Sequence, residues 1–136
     1  MQVVLDTNVL LQARAAGHAY HAILRAWMEG RFDWVVSTEI LLEYQEIITR
    51  RTGAARWAVL EQLLGMSRNV RLMDSTFRFA VIKEDPDDNK FCDCAIAAGA
   101  DYIITEDRHF EVMKSSGYGP QVINPMIFIS QYPSGR

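Results

Sequence analysis

Short strand-like segments alternate with helical segments along this chain of 136 residues. The strand-like segments are apolar and rich in β-branched residues, and they cover 2–6, 32–37, 69–74, 101–107 and 121–123, with a further extended stretch at 77–82. Apolar periodicity, caps and closing glycines predict helices at about 18–29, 39–51 (after an N-cap at Thr38), 54–66, 88–99, 108–116 and 125–132. Strands that alternate with helices are typical of parallel βαβ units, so the sequence predicts one α/β domain over residues 1–136.

Size and composition are those of an ordinary globular domain. Apolar residues make up 49% of the chain and charged residues 23%, and no apolar run approaches the length of a membrane span. The amino terminus lacks a basic segment followed by an apolar stretch, and two cysteines cannot form a disulfide framework. We therefore expect a protein that is not exported, has no membrane partner and works in a reduced, cytoplasmic setting.

Polar and acidic residues follow two of the predicted strands. Asp6 ends the first strand and is followed by Thr7 and Asn8, whereas Thr105 and Asp107 close the strand-like segment DYIITED. Ligands of parallel α/β sheets bind beyond the carboxyl ends of the strands, so these residues are expected to share one edge of the sheet. Taken alone, Asp6 could equally be a helix N-cap or a turn residue.

Helix phase brings two more acids toward the same region. At 100° per residue, Glu43 lies at the border of the apolar arc of its helix, where it can reach a cleft or remain solvated. Asp88 projects on the centre of the buried arc at the start of its helix, near the positive end of the helix dipole. A simple cap would also account for Asp88, but Asp85 and Asp87 supply more acid than a cap needs. Asp93 points away from this arc.

Crowded carboxylates repel one another and raise each other's pKa, a cost that a divalent cation removes. Oxygen ligands without His or Cys companions favour Mg²⁺ or Mn²⁺ over zinc. One or two such ions would activate water and offset charge on a scissile phosphate. The four candidate ligands are Asp6, Glu43, Asp88 and Asp107. Four neighbouring polar residues would orient these carboxylates, or bind water or phosphate: Thr7, Asn8, Asn89 and Thr105.

These motifs resemble those of the PIN-domain ribonucleases, in particular the VapC-type toxins of bacterial and archaeal toxin–antitoxin pairs. The resemblance rests on VVLDTNVLL with Asp6, STEILLEY with Glu43, and DPDDNKFCDCAIAAGADYIITED with Asp88, Thr105 and Asp107. Their order and spacing match over nearly the whole chain, and the closing INPMIFIS resembles the family's terminal helix. The family has one Asp at the third position, whereas this chain offers four. Spacing and helix phase favour Asp88, with Asp85 or Asp93 as alternatives.

The resemblance implies a single PIN-like domain with a parallel sheet of about five strands and helices on both faces. It also implies cleavage of single-stranded RNA that depends on Mg²⁺ or Mn²⁺, and a cognate antitoxin as partner. A basic side chain of the antitoxin could pair with the carboxylates. Exposed apolar residues on the two helices between His18 and Arg51 could seat a partner helix, or could instead form a homodimer.

Charge is distributed unevenly along the chain. Residues 50–83 hold seven basic and two acidic residues, and residues 84–107 hold eight acidic residues and one basic residue. A basic stretch could bind a polyanion next to a metal ion held by the acidic stretch, although both stretches could be ordinary solvated faces. Three arginines could follow an RNA backbone: Arg50, Arg51 and Arg56. Four aromatic residues could stack on bases, but core packing is the better interpretation: Tyr20, Trp27, Trp34 and Trp57.

Other functions and motifs were weighed against this hypothesis. A non-catalytic RNA-binding or regulatory PIN domain would be expected to lose one of the four acids, and a housekeeping RNA-processing nuclease would not harm its host. An aspartyl-phosphate phosphatase would need Asp at position 8, where this chain has Asn. Cys92 and Cys94 lack a second pair and are expected to pack within a helix. His18, His21 and His109 lack the HExxH frame and are expected to be structural or exposed.

Overall fold

The computed structural model describes residues 1–133, which form an α/β domain around a five-stranded sheet. The strands are β1 (Gln2–Leu5), β2 (Asp33–Val36), β3 (Val70–Leu72), β4 (Tyr102–Ile104) and β5 (Gln121–Ile123). Their order across the sheet is β3-β2-β1-β4-β5, and all four pairings are parallel. The predicted α/β class and the sheet of about five parallel strands are confirmed. Residues 134–136 of the predicted domain lie outside the described part.

Helices connect the strands. They are α1 (Thr7–Ala13), α2 (His21–Met28), α3 (Thr38–Thr52), α4 (Ala54–Met66), α5 (Asn89–Ala98) and α6 (Pro125–Gln131), with 3₁₀ segments at Pro86–Asp88 and Arg108–Ser115. The chain moves from β1 to β3 in one direction and then crosses to β4 and β5 in the other. Because such crossovers are right-handed, α1 to α4 cover one face and α5 covers the opposite face. The strand order reverses between β1 and β4, and ligand sites of open α/β sheets lie at the carboxyl ends of such a pair.

The core forms on both faces of the central strands. β1 is buried from Val3 to Leu5, and α5 packs against β1, β2 and β4. The four aromatic residues considered for base stacking are also buried, which supports the core interpretation: Tyr20, Trp27, Trp34 and Trp57. Cys92 and Cys94 are buried in α5, and burial raises the pKa of each thiol to about 12. Within residues 1–133, every helix is too short or too polar to cross a bilayer.

Two local predictions were wrong, and one helix was missed. Helix α1 was not predicted, because a helix of seven residues depends on tertiary packing more than on its own propensity. The N-cap of α3 is Ser37, whose hydroxyl accepts from the Ile40 amide at 3.1 Å, whereas Thr38 binds the Asp74 carboxylate. The stretch 77–82 is irregular and joins no strand of the described sheet, and it contains Ala80 at a φ of 52°.

Candidate active site

Asp6 lies at the switch point of the sheet, directly after β1. Its backbone carbonyl accepts from the Leu10 amide and begins α1, so the residue does occupy the N-cap position. Its side chain, however, makes no capping hydrogen bond and instead accepts from the Thr105 hydroxyl at 2.7 Å. Asp6 is only 6% exposed. The N-cap interpretation therefore explains the backbone of Asp6 and leaves its buried carboxylate to another role.

Burial raises the pKa of Asp6 from 3.8 to about 6. Hydrogen bonds from the Thr105 hydroxyl and the Thr7 backbone oppose this rise, and the nearby carboxylates of Glu43 and Asp107 add to it. The carboxylate of Asp6 thus carries an electrostatic cost that these two hydrogen bonds offset only in part. A bound cation would remove that cost.

Thr105 links the ends of β1 and β4. While its hydroxyl donates to Asp6, it accepts from the Asp107 amide at 3.0 Å. Asp107 then caps the following 3₁₀ segment, since its Oδ1 atom accepts from the His109 amide at 2.9 Å. A single threonine therefore sets the spacing between two carboxylates that are about 100 residues apart in sequence.

Glu43 reaches the same region from α3, and its carboxylate is already engaged. The Thr7 hydroxyl donates to Oε2, and the ammonium of Lys90 lies 2.6 Å from Oε1. Burial lowers the pKa of Lys90, but Glu43 and Asp87 outweigh that effect and leave it above its usual value. Lys90 therefore stays charged in the site. Its sequence context, a lysine beside several acids, does not mark it as a functional residue.

Asp88 approaches from the amino end of α5. Burial, the largest cause, and the carboxylates of Asp85, Asp6 and Asp107 together raise its pKa to about 7. Its Oδ2 atom is buried and has no hydrogen-bond partner among the described residues. An orphaned buried carboxylate oxygen is costly, and a cation is the partner that suits it best. The donor set thus fits a hard divalent ion.

His109 lies beside these acids, which its sequence context had not indicated. One ring nitrogen of His109 and one carboxylate oxygen from each of Asp85 and Asp88 lie within 4.8 Å of one another. Its Nδ1 atom is also 3.5 Å from Asp107. The only signal in the sequence was its position two residues after Asp107. The cluster could accept a cation with oxygen ligands and one nitrogen.

The chain matches the model of the PIN-domain family over residues 2–109. It belongs to the PIN-domain family. The search of curated proteins found no match. The acids converge at the switch point between β1 and β4, which is where open α/β sheets bind ligands.

Several solved structures share this PIN fold. VapBC2 from Rickettsia felis, bound to a DNA fragment from its promoter, is 16% identical with a TM-score of 0.65, covering 91% of this chain and 98% of that one. VapC20 from Mycobacterium tuberculosis, a Sarcin-Ricin loop cleaving toxin, is 19% identical with a TM-score of 0.58, covering 85% and 95%. FitAcB from Neisseria gonorrhoeae is 16% identical with a TM-score of 0.57, covering 91% and 98%. At these identities the likeness establishes the fold.

Not every residue proposed from the sequence lies against the acids of this PIN domain. The Asn89 amide binds both backbone groups of Ile82, accepting at 2.8 Å and donating at 2.9 Å, so it does not orient a carboxylate. The helix-phase prediction that Asp93 points away from the buried arc was wrong: Asp93 is buried and accepts from the Phe79 amide at 3.0 Å, because the irregular stretch 77–82 covers that side of α5. Asn8 is exposed in the first turn of α1.

The histidines and basic residues divide between structural and exposed positions. His18 accepts from the Tyr20 amide, and a ring nitrogen of His21 is 2.8 Å from the Ala13 carbonyl, so both are structural as expected. Arg71 is held at the opposite edge of the sheet by Gln2 and Ala98. The arginines considered for the RNA backbone are exposed on α3 and α4: Arg50, Arg51 and Arg56.

Proposed function

We propose that this PIN domain is a Mg²⁺- or Mn²⁺-dependent endoribonuclease that cleaves single-stranded RNA. The observation that carries the proposal is the convergence of Asp6, Asp88 and Asp107 at the switch point, with a buried Asp88 oxygen that has no hydrogen-bond partner within residues 1–133. Burial raises the pKa of Asp6 and of Asp88, and neighbouring carboxylates add to the rise, so these acids are ionised at an energetic cost. Catalytic sites are where such costs are typically retained.

The acids and Thr105 would have different roles in this site. Asp6, Asp88 and Asp107 would hold the cation, Thr105 orients Asp6, and Glu43 faces them as the fourth acid. When bound, Mg²⁺ or Mn²⁺ supplies Lewis-acid activation of water and neutralises charge on the phosphate. Thr105 fixes one oxygen of Asp6 by hydrogen bonding, so that the carboxylate needs no reorganisation to receive the ion.

We propose further that the enzyme is the toxin of a toxin–antitoxin pair. An apolar groove of about 430 Å³ runs between α1, α2 and α4, and it is flanked by Met28 (51% exposed) and Val59 (69% exposed). A groove of this kind suits the apolar face of a partner helix. The predicted apolar surface lay on the two helices between His18 and Arg51, which are α2 and α3, whereas α4 contributes much of this groove.

Two aspartates of one helix region provide a matched test of the activity. Purified protein is incubated with single-stranded RNA and with Mg²⁺, Mn²⁺ or EDTA. The wild type should cleave only with a divalent ion. Asp88→Asn should abolish cleavage because it removes a ligand charge, whereas Asp93→Asn should retain it because asparagine still accepts from Phe79. Cleavage that persists in EDTA would contradict the metal mechanism. Binding of RNA without cleavage would favour a non-catalytic PIN domain.

A further inference from the structure

Lys90 is the one basic residue in the acidic segment 84–107, and it points into the candidate site. Its side chain is only 11% exposed. An ammonium has three donors, and here three acceptors surround it: Glu43 Oε1 at 2.6 Å, the Asp87 carbonyl at 2.7 Å and the Asp87 carboxylate at 3.4 Å. Lys90 is therefore a saturated, largely buried cation with little freedom to leave.

Glu43 is engaged on both oxygens by residues of this chain. Oε1 accepts from Lys90 and Oε2 accepts from the Thr7 hydroxyl. A divalent ion on Oε1 would either displace Lys90, leaving a poorly solvated ammonium, or lie directly beside its positive charge. Both arrangements are unfavourable.

Asp88 presents the opposite situation. In the described part of the chain its buried Oδ2 atom has no hydrogen-bond partner, and its carboxylate lies among Asp6, Asp85 and Asp107. In one part of the site the Asp88 oxygen has no partner among the described residues, and in the other part Lys90 already pairs with Glu43. A second ion about 3.5–4 Å from the first, if placed on the Glu43 side, would meet the ammonium of Lys90.

We propose that the ammonium of Lys90 occupies the place of a second divalent cation, so that this site binds a single metal ion. Glu43 then acts through Lys90 and Thr7 as a positioning residue and does not ligate the metal. The inference rests on the proposed metal-dependent function. It assigns one ion to this site, where the sequence left the number at one or two.

The stoichiometry of Mn²⁺ binding tests this proposal without reference to activity. Full-length protein is titrated with Mn²⁺, followed by calorimetry and by electron paramagnetic resonance, which detects coupling between neighbouring ions. The wild type and Lys90→Arg, which keeps the charge, should bind one ion per chain. Lys90→Met, which removes the charge, should bind two ions per chain with a coupled signal. Lys114→Met is the matched control, since Lys114 is exposed and its ion-pair partner among residues 1–133 is Glu111.

Glu43→Gln provides a second test that does not depend on the folding of the Lys90 variants. It should keep the single ion with less than about a tenfold loss of affinity, the lower end of the cost of losing an outer partner. Two ions per wild-type chain, or one ion in folded Lys90→Met, would overturn the inference while leaving the nuclease proposal intact. A wild type that binds no ion and cleaves no RNA would overturn both.

Discussion

Asp6 shows how one buried carboxylate can work against the stability of its own fold. It is held by Thr105 and by the Thr7 backbone, yet burial and two neighbouring acids still raise its pKa to about 6. The protonated form therefore contributes stability that is fully present below pH 3.8 and is lost as the pH rises through about 6. At neutral pH without metal, ionised Asp6 is a net cost to the folded state.

Asp6→Asn should consequently stabilise the metal-free protein at neutral pH. Asparagine keeps the volume and an acceptor for Thr105, and the gain should approach about 3 kcal/mol at most, since one pKa unit corresponds to about 1.4 kcal/mol. Urea unfolding in EDTA measures this difference, which should vanish near pH 3.8. Asp33→Asn, at the exposed start of β2, is the control and should change little. If Asp6→Asn is less stable than the wild type at neutral pH, ionised Asp6 does not destabilise the folded, metal-free protein.

At the scale of elements, residues 77–88 pack beside α5 and carry Asp85 and Asp88. This segment and α5 are called the acidic wall of the site. Two contacts hold this wall: the Asn89 amide binds both backbone groups of Ile82, and the Asp93 carboxylate accepts from the Phe79 amide. Both residues belong to α5 but act on the segment 77–82. The position of the acids therefore depends on polar residues that bind backbone and not metal.

Asn89→Ala should loosen this wall. The loss of both hydrogen bonds leaves the partly buried backbone groups of Ile82 unpaired, which should lower the free energy of unfolding by about 1–3 kcal/mol. Hydrogen exchange should rise specifically in residues 77–88, and RNA cleavage should fall with it. The exposed Gln62→Ala in α4 is the control. Unchanged exchange in 77–88 would show that the wall does not depend on Asn89.

At the scale of the whole molecule, the acidic edge and the apolar groove between α1, α2 and α4 are separate surfaces of one PIN domain. Large apolar side chains stay exposed along this helical face, among them Met28, Val59 and Met66. Patches of this kind on a monomer commonly mark an interaction site. A partner could thus be held on the helices while it reaches the carboxylates at the edge.

Expression in a bacterial host tests the toxin proposal on this scale. The wild type should arrest growth, Asp6→Asn should not, and co-expression of the adjacent reading frame should restore growth. Val59→Asp, placed on the groove, should keep the toxicity but weaken the rescue, because a buried charge would face the partner. A wild type that cleaves RNA in vitro and leaves growth unaffected would point to a housekeeping RNA-processing nuclease.

The sequence by itself determined the class of fold and the approximate places of the acids. Apolar periodicity and strand composition are local properties, so the five strands and most helices followed from them. Asp6 and Asp107 could be placed because the carboxyl ends of parallel strands meet at one edge. The orientation of Glu43 could also be predicted, because helix phase depends only on the residues of a single helix.

Only the tertiary structure decided which side chains meet across elements. Lys90 pairs with Glu43 across 47 positions of sequence, and Asn89 turns to Ile82 instead of the acids. His109 joins Asp85 through the path of the 3₁₀ segment. These contacts depend on the angles and distances between packed elements, which neither spacing nor composition encodes. The sequence therefore indicated which chemistry is present, and the fold decided which of its charges remain available to a metal.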